Sequence, residues 1–179
     1  MLHIDIESGL IREARQVPSP NCDERPSTCP PELIIVHGIS LPPGEFGGEW
    51  IDHLFTNMLD PEAHPYFSEV SEMRVSSHLL IRRDGELVQY VSLLKRAWHA
   101  GQSCHEGREQ CNDYSIGIEL EGTDEMPYTD SQYKMLNRSI EILREAFDSL
   151  AVAPVVGHCD VAPGRKTDPG PAFDWARVR

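Results

Sequence analysis

The chain has 179 residues, with 16 Lys and Arg against 29 Asp and Glu, for a formal net charge of −13. That length points to one domain, and 40% apolar residues are enough for a real core, which excludes a disordered chain. The acidic balance excludes nucleic acid or an anionic membrane surface as the main partner, and no window approaches a membrane span of roughly 18 apolar residues.

The start, Met1-Leu2-His3-Ile4-Asp5-Ile6-Glu7, has acidic residues and no apolar run, so it does not read as a signal peptide. The five cysteines, Cys22, Cys29, Cys104, Cys111 and Cys159, form an odd set with no CxxC pair. That argues against a zinc ribbon and for free thiols, and with the missing signal it points to the cytoplasm.

Residues 8–15 are predicted as a short helix capped by Ser8. Residues 18–31 are rich in proline and read as an extended arm over the surface. Leu33-Ile34-Ile35-Val36-His37 is a continuous apolar run of strand length, hence a buried strand ending in a histidine. From Glu49 to Leu59 the apolar residues Trp50, Ile51, Leu54, Phe55, Met58 and Leu59 follow helical spacing, and Asp60-Pro61 closes the segment. His78–Ile81 and Leu87–Val91 flank Asp84-Gly85, the signal of a β-hairpin.

Ser115–Glu121 alternates, with Ile116, Ile118 and Leu120 on one face and Ser115, Gly117, Glu119 and Glu121 on the other. Thr129-Asp130-Ser131-Gln132 has the form of a capping box, opening a helix with Tyr133, Leu136, Ile140, Leu143 and Phe147 on one stripe. Pro154–His158 reads as another buried strand, and the Pro- and Gly-rich loop after it as neither helix nor interior strand. Residues 172–179 are expected to add a helical turn or two. The fold class is α/β: a single domain, 1–179, with a central mixed β-sheet flanked by α-helices and residues 1–31 packed on it as an N-terminal arm.

His37 and His158 both end apolar strands, the edge of an α/β sheet where sites form. With Asp168 on the stiff loop they make a three-ligand set with an open fourth position, the pattern of catalytic zinc. A strand-end histidine is also commonly a hydrogen-bonded structural residue, and His78 and His99 compete as ligands; spacing does not separate them. Glu119, on the polar face beside Gly117, is a candidate proton carrier, against the alternative of an exposed strand residue such as Glu121 is expected to be. Lys166 can stabilise an oxyanion. Arg74, Arg82, Arg83 and Arg108 can hold carboxylates, although Arg82-Arg83 reads more simply as a charged turn. Trp98 can floor a sugar or peptide site. Cys159, adjacent to His158 along a strand, would point to the opposite face and pairs poorly with it.

Val36–Gly48, Arg96–Gly101, Cys111–Asp124 and Gly157–Trp175 resemble, in the same order and over nearly the whole chain, the AmpD-type zinc amidases. These are cytosolic 1,6-anhydro-N-acetylmuramyl-L-alanine amidases of bacterial cell-wall recycling, akin to peptidoglycan recognition proteins. The resemblance implies Zn2+ on His37, His158 and Asp168, and catalysis by Glu119 and Lys166. Arg74 and Trp98 are weaker candidates for substrate binding. It implies an anhydro-muropeptide substrate, cut between the lactyl group of the sugar and L-alanine, with no nucleic acid, membrane or obligate protein partner. It also implies a link to β-lactamase induction, because uncut muropeptides act as signals. The alternative is a muropeptide-binding module of the same fold that does not cut. Two positions depart from the family pattern: Gly38 where Asn is expected, and Gln110 where Arg is. The expected consequences are the loss of an amide and of a charge beside the cleft.

Overall fold

The computed structural model describes residues 2–178. Short strands β1 (Ile4–Asp5), β2 (Leu10–Ile11), β3 (Arg15–Gln16) and β4 (Cys22–Glu24) lead into β5 (Leu33–Ile39). Helices α1 (Trp50–Phe55) and α2 (Phe67–Val70) follow, then the hairpin β6 (Leu79–Ile81) and β7 (Leu87–Gln89). After β8 (Lys95–Ala97), β9 (Cys104–His105) and β10 (Arg108–Glu109) come β11 (Ser115–Glu121), α3 (Asp130–Ala146), β12 (Val155–Gly157) and α4 (His158–Val161).

Among the described residues, the main sheet has the order β12-β5-β11-β6-β7-β3. All its neighbours run parallel except the β6–β7 hairpin, so it is mixed, as expected. One face, with Ile34, Val36, Ile116, Ile118 and Leu120, buries Tyr133, Leu136, Ile140 and Leu143 of α3. Each such side chain contributes about 1.5–3 kcal/mol. Thr129 and Gln132 form the anticipated capping box of α3. On the other face Leu80 and Val88 pack against Ile51, Leu54 and Phe55 of α1, while Leu33 and Ile35 pack against Ala100, Cys111 and Val161. His37 and Glu119 continue the rows of this second face, and the parallel register makes them direct cross-strand partners.

Several expectations are corrected. Residues 8–15 are not helical: the Asp5 carboxylate accepts from the amides of Glu7 and Ser8 (3.0 and 3.3 Å), and Gly9 turns left-handed at φ 68°. The chain there folds back as the β1–β2 hairpin instead. The arm is partly stranded, β4 pairing with β8. Helix α1 stops at Phe55, short of Leu59. Asn57 is left-handed (φ 60°), with Met58 N–H on the His53 carbonyl and Asn57 N–H on the Leu54 carbonyl, a Schellman ending. The start of the Pro- and Gly-rich loop does form one helical turn, α4, with His158 as its first residue rather than the last of a strand. The C-terminal turn is the 3-10 helix Trp175–Arg177. Met1 and Arg179, the ends of the expected arm and of the last turn, lie outside the described residues. All five cysteines are free thiols.

Candidate metal centre and cleft

A cleft of about 560 Å3 opens on the second face. Its apolar wall includes Leu41, Leu54, Phe55, Tyr66 and Val70, and its polar wall includes His37, Glu119, His158, Lys166 and Asp168. Residues 121 positions apart in the chain meet at its floor. His37 Nδ1 lies 3.0 Å from His158 Nδ1, His158 Nδ1 lies 3.1 Å from Asp168 Oδ2, and His37 Nδ1 lies 3.3 Å from Asp168 Oδ2. In a tetrahedral shell with zinc–ligand bonds of about 2.0–2.1 Å, ligand atoms stand roughly 3.3 Å apart. The observed triangle fits that shell.

Hydrogen bonding fixes the protonation of this triangle, starting from a backbone carbonyl. Ser115 Oγ donates to Cys111 O at 2.6 Å, so it accepts from His99 Nε2 at 3.2 Å. Neutral His99 then has Nδ1 as its acceptor, and His37 Nε2–H donates to it at 2.9 Å. His37 Nδ1 is left as a bare lone pair. In the same way His158 Nε2–H donates to Ala100 O at 3.2 Å, which frees its Nδ1. Arg165 braces that same carbonyl. Two lone pairs and a carboxylate oxygen therefore converge with no proton among them, an arrangement that a divalent cation relieves. Burial keeps His37 and His99 neutral, lowering His37 to about 4 and His99 well below its ordinary value.

The alternatives His78 and His99 have no nitrogen to spare. His78 accepts from Gly117 N–H at Nδ1 and donates to Lys95 O from Nε2, and both nitrogens of His99 serve the chain just described. His99 is a residue that sequence reasoning weighed only as a ligand. Gly117 was its signal: a Cβ there would sit 2.5 Å from the His99 ring, so the space beside Glu119 is filled by that imidazole.

Glu119 is buried (8% exposed), and among the described residues its Oε2 has no hydrogen-bond partner. Burial, then the charge of Asp168, raise its proton affinity well above that of an ordinary carboxylate, and Lys166 opposes the rise. An orphaned, proton-hungry carboxylate facing a cleft can take up a proton there. Glu121, expected on a solvated face, is instead 2% exposed. It accepts from Gly47 N (2.6 Å), Arg83 N (3.2 Å) and Arg82 Nη1 (3.3 Å). Arg82 is likewise no charged turn: it is buried between Glu121 and Asp52, because two carboxylates already there need a cation.

Arg74 and Trp98 do not line the cleft. Arg74 is exposed beside cleft-lining Met73 and Val75, on the carbonyls of Ser71 and Met73. Trp98 turns its indole to the Asp23 carboxylate. Arg108 pairs with Glu32 at 2.5 Å. Gln110 is exposed with left-handed backbone (φ 58°) and is not among the residues lining the cleft. Gly38 does line the cleft, but its missing side chain points at the Tyr128 hydroxyl.

The chain matches the N-acetylmuramoyl-L-alanine amidase family model over residues 27–171. It is 60% identical to the 1,6-anhydro-N-acetylmuramyl-L-alanine amidase AmpD of Escherichia coli (strain K12), over 97% of this chain and 94% of that protein. Its fold matches the crystal structure of a Se-Met AmpD derivative with a TM-score of 0.95, at 59% identity over 99% of this chain and 97% of that one. A more distant neighbour is the Escherichia coli amidase AmiD in complex with the substrate anhydro-N-acetylmuramic acid-L-Ala-D-γ-Glu-L-Lys. There the TM-score is 0.57 and the identity 26%, over 87% of this chain and 59% of that one. The single α/β domain, its cleft and these likenesses agree: the chain belongs to the N-acetylmuramoyl-L-alanine amidase family.

Proposed function

We propose that this protein hydrolyses the amide between the lactyl group of 1,6-anhydro-N-acetylmuramic acid and L-alanine of the stem peptide, in peptidoglycan recycling, with zinc on His37, His158 and Asp168. The observation that carries the reading is the proton-free triangle of two imidazole nitrogens and a carboxylate oxygen, next to the orphaned carboxylate of Glu119. Zinc held there supplies Lewis acidity to the amide carbonyl and to a water molecule beside it. Glu119 takes a proton from that water as its oxygen bonds to the carbonyl carbon. Glu119 then returns the proton to the alanine nitrogen as the C–N bond breaks. Lys166, close enough to act on both Glu119 and His37, stabilises the negative charge that develops on the carbonyl oxygen. The products are a lactyl carboxylate and a free peptide amine. The cleft's apolar wall faces the saccharide or peptide, and Arg74 at its rim is the cation placed to meet a stem-peptide carboxylate. Trp98, whose indole turns to Asp23, is not given a substrate contact.

This reading gives the protein a cytoplasmic place of work and, through uncut muropeptides, an influence on β-lactamase induction. Mass spectrometry after incubation with anhydro-muropeptide tests it. The expected products are the free peptide and the anhydro sugar, with cleavage stopped by a chelator and restored by zinc. Ligand returned uncut by zinc-loaded protein would instead make it a binding module.

A further inference from the structure

We infer that Tyr128, which touches neither the reacting groups nor the ligand atoms, is a positioning residue that seats Asp168 in the metal triangle. The inference rests on the zinc reading above. Tyr128 is 4% exposed and packs edge-on to Phe173, with ring centroids 5.4 Å apart, and to Tyr133. It threads between the ends of two adjacent strands at Gly38 and Gly122. A Cβ on Gly122 would overlap its ring, and one on Gly38 would overlap its hydroxyl. Across that gap the hydroxyl donates to Pro169 O at 3.0 Å, in the residue next to Asp168. Asp168 is held from its other side by Cys159 N–H on its carbonyl at 2.9 Å. The backbone at Asp168 is thus held by two anchors, one of them a side chain reaching through a glycine gate, and its carboxylate accepts directly from Gly38 N–H at 3.4 Å. A side chain on Gly38 would meet the Tyr128 hydroxyl, so the two positions are coupled in this chain. With the ring packed on Phe173 and Tyr133, an added methyl at 38 displaces the hydroxyl or Pro169.

Two substitutions test this as a cycle, read as the zinc dissociation constant from competition with a chromophoric chelator. Tyr128→Phe should weaken zinc about tenfold, the low end of the effect of outer-shell partners. Gly38→Ala should weaken it similarly. Together they should do no more than Tyr128→Phe alone, because without the hydroxyl the nearest atoms to the new methyl are Pro169 Cα at 3.5 Å and the ring Cζ at 3.7 Å. Tyr133→Phe is the control. Its hydroxyl accepts from Asp174 N–H, so its loss should lower Tm and leave zinc affinity unchanged. Unchanged zinc affinity in Tyr128→Phe, simple additivity in the double variant, or an equal effect of Tyr133→Phe would each overturn the inference. Wild-type protein that takes up no zinc would overturn the metal reading itself, and this inference with it.

Discussion

The carbonyl oxygen of Cys111 decides which nitrogen of His37 is free. It takes the proton of Ser115, Ser115 takes that of His99, and His99 takes that of His37. Each step is an ordinary hydrogen bond; together they aim one lone pair at the cleft floor. A buried hydroxyl outside the cleft lining therefore sets which nitrogen of His37 faces the cleft, and in the zinc reading it controls a ligand. Ser115→Ala releases His99 to flip its tautomer, and zinc affinity should fall about tenfold. Chelator competition measures this, and an unaltered constant would show that His37 needs no such relay. Glu119 illustrates the opposite design: among the described residues, one of its oxygens is buried without a partner, at a cost of about 1–3 kcal/mol.

At the scale of elements, Glu121 fastens the loop after β5 to the end of β11 through Gly47 N–H, and Arg82 ties both to Asp52 of α1. That loop supplies Ser40, Leu41, Pro43 and Gly44 to the cleft wall. Glu121→Ala leaves Arg82 and the Gly47 amide short of a partner. The expected loss is about 3–5 kcal/mol of stability, with a raised KM for muropeptide. Denaturant midpoints and steady-state kinetics check it, and an unchanged KM would mean that the loop needs no such fastening. The sequence did disclose β5, β11, the hairpin and α3, because each carries its burial pattern or cap in consecutive residues. It also put His37 and His158 toward the C-terminal ends of their strands, although β5 runs on to Ile39 and His158 opens α4. It did not disclose the burial of Glu121 and Arg82, since alternation marks them as polar and only the packing of α1 and the loop shows that face is covered. Residues 8–15 misled because the turn chemistry of Asp5 and Gly9 outweighs a helical pattern of a few residues. Spacing left His78 and His99 open as ligands, because the hydrogen bonds that engage their nitrogens come from distant strands.

For the whole molecule, the same histidines make the fold acid-sensitive. His37 and His78 are buried in the neutral form, their pKa values lowered from 6.5 to about 4 and about 3, mainly by burial, and His99 is lowered likewise. The unfolded chain binds these protons first. Their contribution to stability is therefore whole above about pH 6.5 and is lost as pH falls toward 4 and below. Denaturant midpoints of metal-free protein should decline across that window; a flat profile from pH 7 to about 4.5 would contradict neutral burial. The net charge of −13 opposes an acidic substrate at long range, so capture falls to local cations such as Lys166. The most direct measurement is zinc content and muropeptide turnover in Glu119→Ala, side by side with the wild type. We expect one zinc per chain in both and a rate at least about a hundredfold lower in the variant. Cleavage by Glu119→Ala at the wild-type rate would contradict the central claim that this buried carboxylate carries the proton.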